Sequence, residues 1–295
     1  MPISGLRGLS LSQLFKQAYQ RFFSNEMPIY AAAVTLDMFF SLFPFLIFLI
    51  ALLGFLDLSF VFDWVRKQFQ QVFLQETVHQ INQTLDQFQQ RRLGLLSFGV
   101  ITSVFAASYG MSTMMKALNV VYGVKEGRPL WKRYALSMVY TVIVGSMIAA
   151  AITLVLVTPQ AMKTLGLRVG MASSFAMLWA WWFRWPAIVL LLTATMAIVY
   201  GVAPDVEQRF RFVTPGAFLA VVLWLATSAG FNYYVQNVGN YNALYGSVGT
   251  IVVLMLYSYI STGIVLYGAE VNAVIEHHAP TGKDAGEKTA KHATS

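Results

Sequence analysis

The stretch GSVGTIVVLMLYSYISTGIVLYGAEVNA, Gly246 to Ala273, carries no charge until it reaches Glu270. About 20 apolar residues at 1.5 Å each cover the roughly 30 Å hydrocarbon core of a bilayer, so this stretch reads as a membrane helix closed by a carboxylate. Upstream, no charged residue stands between Arg211 and Glu270, which leaves room for two crossings. The interior run FNYYVQNVGNYNALYGS, Phe231 to Ser247, is rich in Asn, Gly and Tyr. That chemistry suits a turn at the headgroup level, where aromatic rings settle. A fifth crossing is therefore predicted over about 212–234 and a sixth over 247–273.

The rest of the chain obeys the same solvent. Of its 295 residues 57% are hydrophobic, 15% aromatic and only 11% charged, whereas soluble domains carry about a quarter charged residues. Further apolar runs predict crossings at about 30–53, 93–114, 134–157 and 183–202. These runs lack the alternation of a barrel strand, and lipid cannot satisfy an open strand edge. The expected fold is all-α: a polytopic membrane protein with six transmembrane helices. Its predicted parts are a cytoplasmic interfacial segment (1–27), the six-helix domain (28–275) with an extracytoplasmic helical loop (58–92), and a disordered cytoplasmic tail (276–295).

Lys and Arg give the orientation, since positive loops stay cytoplasmic. They are in excess on the side of the N-terminus (Arg7, Lys16, Arg21), the second-to-third loop (Lys116, Lys125, Arg128, Lys132, Arg133), the fourth-to-fifth loop (Arg209, Arg211) and the tail. Both termini are expected in the cytoplasm. The net charge of +7 then favours anionic headgroups as partners rather than nucleic acid. The first apolar run starts too late and runs too long for a cleavable signal. Before it, LSLSQLFKQAYQRFF (Leu9 to Phe23) sets Leu11, Leu14, Phe15, Ala18 and Phe22 on one face, as in a helix lying on the inner leaflet. In the loop 58–92, Leu74, Val78, Ile81, Leu85 and Phe88 recur at helical spacing. Such helices either cap the outer mouth of the bundle or lie on the outer leaflet. The absence of cysteine excludes disulfides.

Several pieces of this chain resemble one family. SLFPFL (Ser41 to Leu46), KALNVVYGVKEGRPLWKR (Lys116 to Arg133) and TPGAFLAVVLW (Thr214 to Trp224) are similar to the YihY/BrkB family of bacterial inner-membrane proteins. The most specific match is the closing one: Tyr241, Asn242, Tyr245, Gly246, Ser247 and Gly249, followed by Gly268, Ala269, Glu270 and Asn272. The resemblance covers residues from about 20 to 275. It implies six helices, cytoplasmic termini and an envelope role connected with lipid or small-solute transport, without an agreed activity. Asp37 departs from the family pattern, which tends to an uncharged residue there, so no shared mechanism is attached to it.

An older label for that family, ribonuclease BN, finds no support in the residues. The histidines are His79, the pair His277 and His278, and His292, a set without the clustering a metal-dependent nuclease needs. No phosphate-binding GxxxxGK[ST] loop occurs. The expectation is a protein that is not an enzyme and has no metal or cofactor.

The informative residues are the polar ones at membrane depth. Asp37, Ser41 and Pro44 share one face of the first crossing at i, i+4 and i+7. A carboxylate there costs about 2.5–3.5 kcal/mol on insertion scales, so Asp37 either titrates or meets a cation, or is capped by neighbouring hydroxyls. Ser228, Asn232 and Gln236 form a stripe on the fifth helix, and Thr250 and Ser258 stand on the sixth. Helix-to-helix glue and the lining of a substrate path are both open for them. Trp179, Trp181, Trp182 and Trp185 with Arg184 read as an interface belt, with an outward headgroup site at Arg184 as the alternative. Glu270 closes the last crossing, where the helix dipole disfavours an acid. With Asn272 nearby, it is expected to pair with a base of the same membrane side, Arg128 or Arg133 among them, as a clamp or as a gate.

The function expected from these residues is a transporter or handler of a lipid or small amphiphilic solute. The alternative is a non-transporting scaffold for envelope-assembly proteins.

Overall fold

The computed structural model describes residues 9–55, 93–169, 173–206, 214–237 and 241–279. Among them the regular elements are seven helices: α1 (Leu11–Ser24), α2 (Met27–Phe55), α3 (Leu93–Val121), α4 (Leu130–Val169), α5 (Ser173–Val202), α6 (Pro215–Asn237) and α7 (Tyr241–His278). Six contain stretches long and apolar enough to cross a membrane: Met27–Phe48, Ser97–Val121, Leu130–Leu154, Arg184–Val202, Pro215–Asn237 and Ile251–His278. Their outer surfaces match that solvent. Phe40, Ile101, Leu190 and Val252 are all exposed, an arrangement hydrocarbon tolerates and water does not.

Two helices outrun the bilayer. α4 has 40 residues and α7 has 38, each near 60 Å at 1.5 Å per residue, about twice the hydrocarbon thickness. Two expected irregular segments are therefore shortened. The connection expected over Pro159 to Trp182 is helical wherever it is described, because α4 continues to Val169 and α5 begins at Ser173. The turn expected over Phe231 to Ser247 narrows likewise, with α6 reaching Asn237 and α7 starting at Tyr241. Side-chain pairs one turn apart explain part of this. Gln236 Nε2 donates to Asn232 Oδ1 (3.1 Å) and Asn237 Nδ2 to the Tyr233 carbonyl (2.8 Å), so these amides support the helix rather than ending it. α7 also runs through 276–278, which the sequence reading assigned to the tail. The outer loop 58–92 and residues 280–295 lie outside the described residues.

The chain forms two compact units. The smaller one, residues 36–109, pairs the second part of α2 with the first part of α3. A Cβ at Gly99 would meet the Phe48 backbone at 2.8 Å, so these two helices touch through main chain there.

The larger unit comprises residues 1–35 and 110–295. Within it α4 packs along α5, α5 against α6, α6 along α7, and α1 against α7. Its core combines many short side chains with a few large ones on facing helices: Ala31, Ala117, Ala197, Ala217, Ala269 and Ala273 are buried around Tyr200, Met115, Leu118 and Leu266. Small residues let membrane helices approach closely. The closest approach is between Gly216 on α6 and Gly268 on α7. A Cβ on Gly216 would collide with the Gly268 carbonyl oxygen, and one on Gly268 would lie 2.7 Å from both the Gly216 carbonyl and the Tyr200 hydroxyl.

The single apolar face expected for α1 is split. A capping box between Ser10 and Gln13 starts the helix. Leu14 and Ala18 are buried against Val271 and Val274 of α7. Leu11, Phe15, Tyr19 and Phe23 form a second stripe that is exposed.

Replacing Gly268 by Ala is expected to lower stability by about 1–3 kcal/mol, the usual cost of overpacking a close contact. Gly145→Ala, where a Cβ meets nothing within 4 Å, serves as the control. Thermal unfolding in detergent should separate the two, and equal melting temperatures would refute the close-approach role.

Candidate functional site

The polar side chains of the larger unit gather where α1 and the ends of α3, α5 and α7 meet the start of α6, here called the terminal face. Three connected ties make it up.

The first is centred on Glu270, which is fully buried on α7. Its partner is Arg21, in the last turn of α1: Nε donates to Glu270 Oε2 at 3.1 Å. Asn25 Nδ2, just past the end of α1, donates to Glu270 Oε1 at 2.7 Å. Arg21 spends its remaining nitrogens on α7 again and on α3, with Nη1 at 2.9 Å from His277 Nδ1 and Nη2 donating to the Val121 carbonyl at 2.8 Å. That carbonyl belongs to the last turn of α3, which has no intrahelical donor of its own. One guanidinium thus joins α1, α3 and α7. Asn25 is held at the site by a sharp reversal, in which Glu26 adopts a left-handed backbone (φ 56°).

Asn272 makes the second tie. Thr214 caps α6, its Oγ1 accepting from the Ala217 amide at 3.3 Å, and Pro215 takes the first helical position. Asn272 Oδ1 accepts from the Gly216 amide at 2.8 Å while its Nδ2 donates to Thr214 Oγ1 at 2.9 Å. α7 therefore supplies part of the cap of α6. Gly268 stands one turn before Asn272 on this same face.

The third tie involves the α3–α4 connection. Gly123 takes a left-handed turn (φ 68°), a conformation glycine adopts without strain. Arg128 then grips Glu126 through Nε (2.7 Å) and Nη2 (3.1 Å) and donates to the Ala203 carbonyl at the end of α5 (3.0 Å). Asn119 bridges both sides, donating to Glu126 Oε2 (3.0 Å) and accepting from the Asp205 amide (2.7 Å). Asp205 accepts from the Gly127 amide at 2.8 Å. Burial would raise the Glu126 carboxyl, but the hydrogen bonds and charge of Arg128 outweigh it and hold the group below its ordinary value.

The expected partners of Glu270 are thus corrected. Arg128 is committed to Glu126 and Asp205, and Arg133 lies on α4 with its guanidinium 5.3 Å from the Tyr134 ring. Arg21, Asn25 and His277 are the residues sequence reading missed. A signal for the first two was present: Leu14, Ala18, Arg21 and Asn25 follow one another at spacings of four, three and four, so the buried stripe of α1 ends in a charge and an amide. Its weakness lay in the neighbouring apolar stripe, which drew Leu11 and Phe15 into the same face.

Of the stripe on α6, Ser228 enters the seam with α7. Ser228 Oγ donates to the Trp224 carbonyl (2.6 Å) and lies 2.8 Å from the Tyr257 hydroxyl, and Trp224 Nε1 donates to Ser261 Oγ (3.1 Å). Asn232 and Gln236 are exposed and bonded to each other, while Ser258 is half-buried. In the smaller unit Asp37 and Ser41 are half-buried, and Ser41 donates to the Met38 carbonyl at 2.7 Å. On α5 Trp182 and Trp185 are exposed and the Arg184 guanidinium lies 5.4 Å from the Trp185 ring. The side chains of Trp179, Trp181 and Thr250 lie outside the described residues.

The family model described as virulence factor BrkB matches residues 18–293. Among curated proteins, the chain is 34% identical to YfkH of Bacillus subtilis (strain 168), described as ribonuclease-like, over 88% of this chain and 94% of that one. It is 25% identical to the UPF0761 membrane protein Bxeno_A3061 of Paraburkholderia xenovorans, over 92% of this chain and 63% of the relative. A UPF0761 membrane protein of Aeromonas salmonicida is 26% identical over 69% of this chain and 68% of its own. No solved structure matches.

Removing one member of a buried ion pair strands the other, so Glu270→Ala and Arg21→Ala should each cost about 3 kcal/mol. Replacing both by apolar residues should cost less than the sum, a coupling that a double-mutant cycle on thermal unfolding would measure. Strict additivity would show that the pair does not act as a unit.

The Glu126 tie yields a pH expectation. Its folded carboxyl titrates below the ordinary 4.5, so its stabilisation is present above that value and fades as pH falls through the lower folded one. Melting temperature between neutral pH and pH 3 should therefore drop less steeply for Glu126→Gln than for the unaltered protein. Parallel curves would show that this carboxylate is not what the acid titrates.

Proposed function

We propose a function for the chain from one premise: it belongs to the virulence factor BrkB family of membrane proteins. On that premise it is a transporter or handler of a lipid or small amphiphilic solute. It sits in the bacterial inner membrane with both termini cytoplasmic and the terminal face at the inner leaflet.

The observation that carries this reading is the unequal exposure of the Glu270 pair. The carboxylate is 0% exposed and the Arg21 side chain 27%. A headgroup at the membrane surface can therefore reach the cation without reaching its partner. Arg21 stands on a helix whose outward stripe, Leu11, Phe15, Tyr19 and Phe23, is apolar and exposed, the surface of a helix resting in the interface. An anion that competes for Arg21 would loosen α1, α3 and α7 together, because one guanidinium holds all three. The same pair is then a clamp at rest and a gate when a headgroup is present.

No catalytic centre is assigned. Among the described residues no three His, Asp or Glu side chains gather as metal ligands, and the ribonuclease-like description of YfkH stays with that protein. Membrane lipids, anionic ones included, are the proposed partners, and nucleic acid is not one.

A second reading, a scaffold for envelope-assembly proteins, has an observation of its own. Ser228, a candidate for the path, bonds to Tyr257 between α6 and α7 beside the Trp224–Ser261 pair, which supports a role as glue at that position.

Vesicles containing only the purified protein decide between the two readings. The transport reading expects translocation of a fluorescent lipid or amphiphile above that of protein-free vesicles. It also expects Glu270→Gln to keep the fold while losing the movement. No movement across a broad panel of lipids and solutes would leave the scaffold, and loss of folded protein in Glu270→Gln would leave a clamp without a gate.

A further inference from the structure

The lipid reading becomes specific at two arginines that the ties of the terminal face do not use. Arg133 stands in the first turn of α4 and Arg184 in α5 where its apolar span begins. Each is half-buried, and each keeps its guanidinium beside the aromatic ring of the next residue, Tyr134 at 5.3 Å and Trp185 at 5.4 Å. In each, the Nε donor is buried and has no hydrogen-bond partner among the described residues. Buried guanidinium Nε donors with no partner among the described residues are unusual, and two in the same setting on neighbouring helices call for a common cause.

Their spacing supplies it. Arg128 Nη2 donates to the Ala203 carbonyl, so the start of α4 and the end of α5 lie at one level. Arg184 precedes Ala203 by 19 residues along α5, about 28 Å at 1.5 Å per residue, close to the roughly 30 Å of a bilayer core. Arg133 therefore lies at one headgroup level and Arg184 at the other. Exposed aromatic and aliphatic side chains flank both: Leu130 and Trp131 beside Arg133, Trp182 and Trp185 beside Arg184. Lys132 adds an exposed cation to the first. A planar cation that offers paired donors, stands on an aromatic ring and is surrounded by lipid-compatible surface suits one chemistry, the phosphate of an anionic lipid whose chains lie along the helices.

We propose that the α4–α5 hairpin carries two lipid-phosphate seats, Arg133 in one leaflet and Arg184 in the other. This rests on the lipid reading above and names the ligand class, a phosphodiester lipid held at both faces of the membrane. Neither arginine belongs to the Glu270 tie, so the seats and the gate can be tested apart.

Native mass spectrometry of the delipidated full chain, titrated with phosphatidylglycerol, reads the seats directly. Two tightly retained lipids are expected. Arg133→Gln and Arg184→Gln should each remove one, with about tenfold weaker affinity at the altered seat, the scale of losing one charged bidentate contact. Arg→Lys at either position should fall between, since it keeps the charge and loses the fork. Diacylglycerol with the same chains should not be retained, and inorganic phosphate at matching concentration should not displace the lipid. Because only the contact with the adjacent ring is removed, the Gln variants should melt close to the unaltered protein in lipid-free detergent.

Undiminished retention in the double variant would overturn the proposal, as would equal binding of diacylglycerol. Displacement by inorganic phosphate would mark a free-anion site, and markedly lower melting of the Gln variants would mark a structural role; either result overturns it. Retention at both seats without translocation in vesicles would keep the seats and sink the transport reading.

Discussion

A carboxylate with no access to solvent is the constraint around which the larger unit is built. Glu270 sits in α7 among Ala269, Val271 and Ala273, all buried. An ion in such surroundings survives only when its partners are in place. Arg21 and Asn25 provide them from α1, which fixes where the short amphipathic helix lies against the long one. Because Arg21 also reaches His277 and the Val121 carbonyl, the position of α3 is set by the same group. The electrostatic demand of one residue thus decides the docking of three helices.

α7 is the element that distributes these constraints, and its closing motif explains how. Gly268 and Asn272, one turn apart, face α6: the first removes side-chain bulk so that backbones touch, and the second caps the neighbouring helix. Glu270 faces Arg21 and Asn25 at the end of α1, and Arg21 reaches on to α3. Ala269 and Ala273, again one turn apart, enter the core. Three faces of one helix take three roles within six residues, a density that helical geometry permits because successive positions rotate by about 100°.

The terminal face is therefore rich in specific contacts, whereas the outer surfaces of the spans are not. Hydrocarbon gives no reward for burying leucine against leucine, so membrane helices are held together by small residues, hydrogen bonds and ion pairs. The Trp224–Ser261 and Ser228–Tyr257 pairs along α6 and α7 belong to that economy. Ser228, for which the sequence left both helix-to-helix glue and the lining of a path open, is in this seam a bond between helices. Arg133 and Arg184 differ from them in having buried donors that no described residue fills.

The amino-acid sequence by itself determined the solvent, the helical class and the number of crossings, because hydrophobicity summed over twenty residues is a strong, local quantity. It also picked out Glu270, since a carboxylate at the end of an apolar run must be answered. It could not name the answer. Arg21 lies 249 positions away, and the choice among Lys116, Arg128, Arg133 and Arg21 depends on which helices are adjacent. That adjacency is set by packing of alanine, glycine and valine surfaces, which look alike in one dimension. Helix ends were equally hidden, because α4 and α7 continue past the apolar runs by local hydrogen bonding that hydropathy does not measure. Tertiary structure decided the pairing of Glu270, the division of the α1 face into a docked and an outward stripe, and the fate of the polar stripe on α6, since each depends on a neighbour distant in the chain.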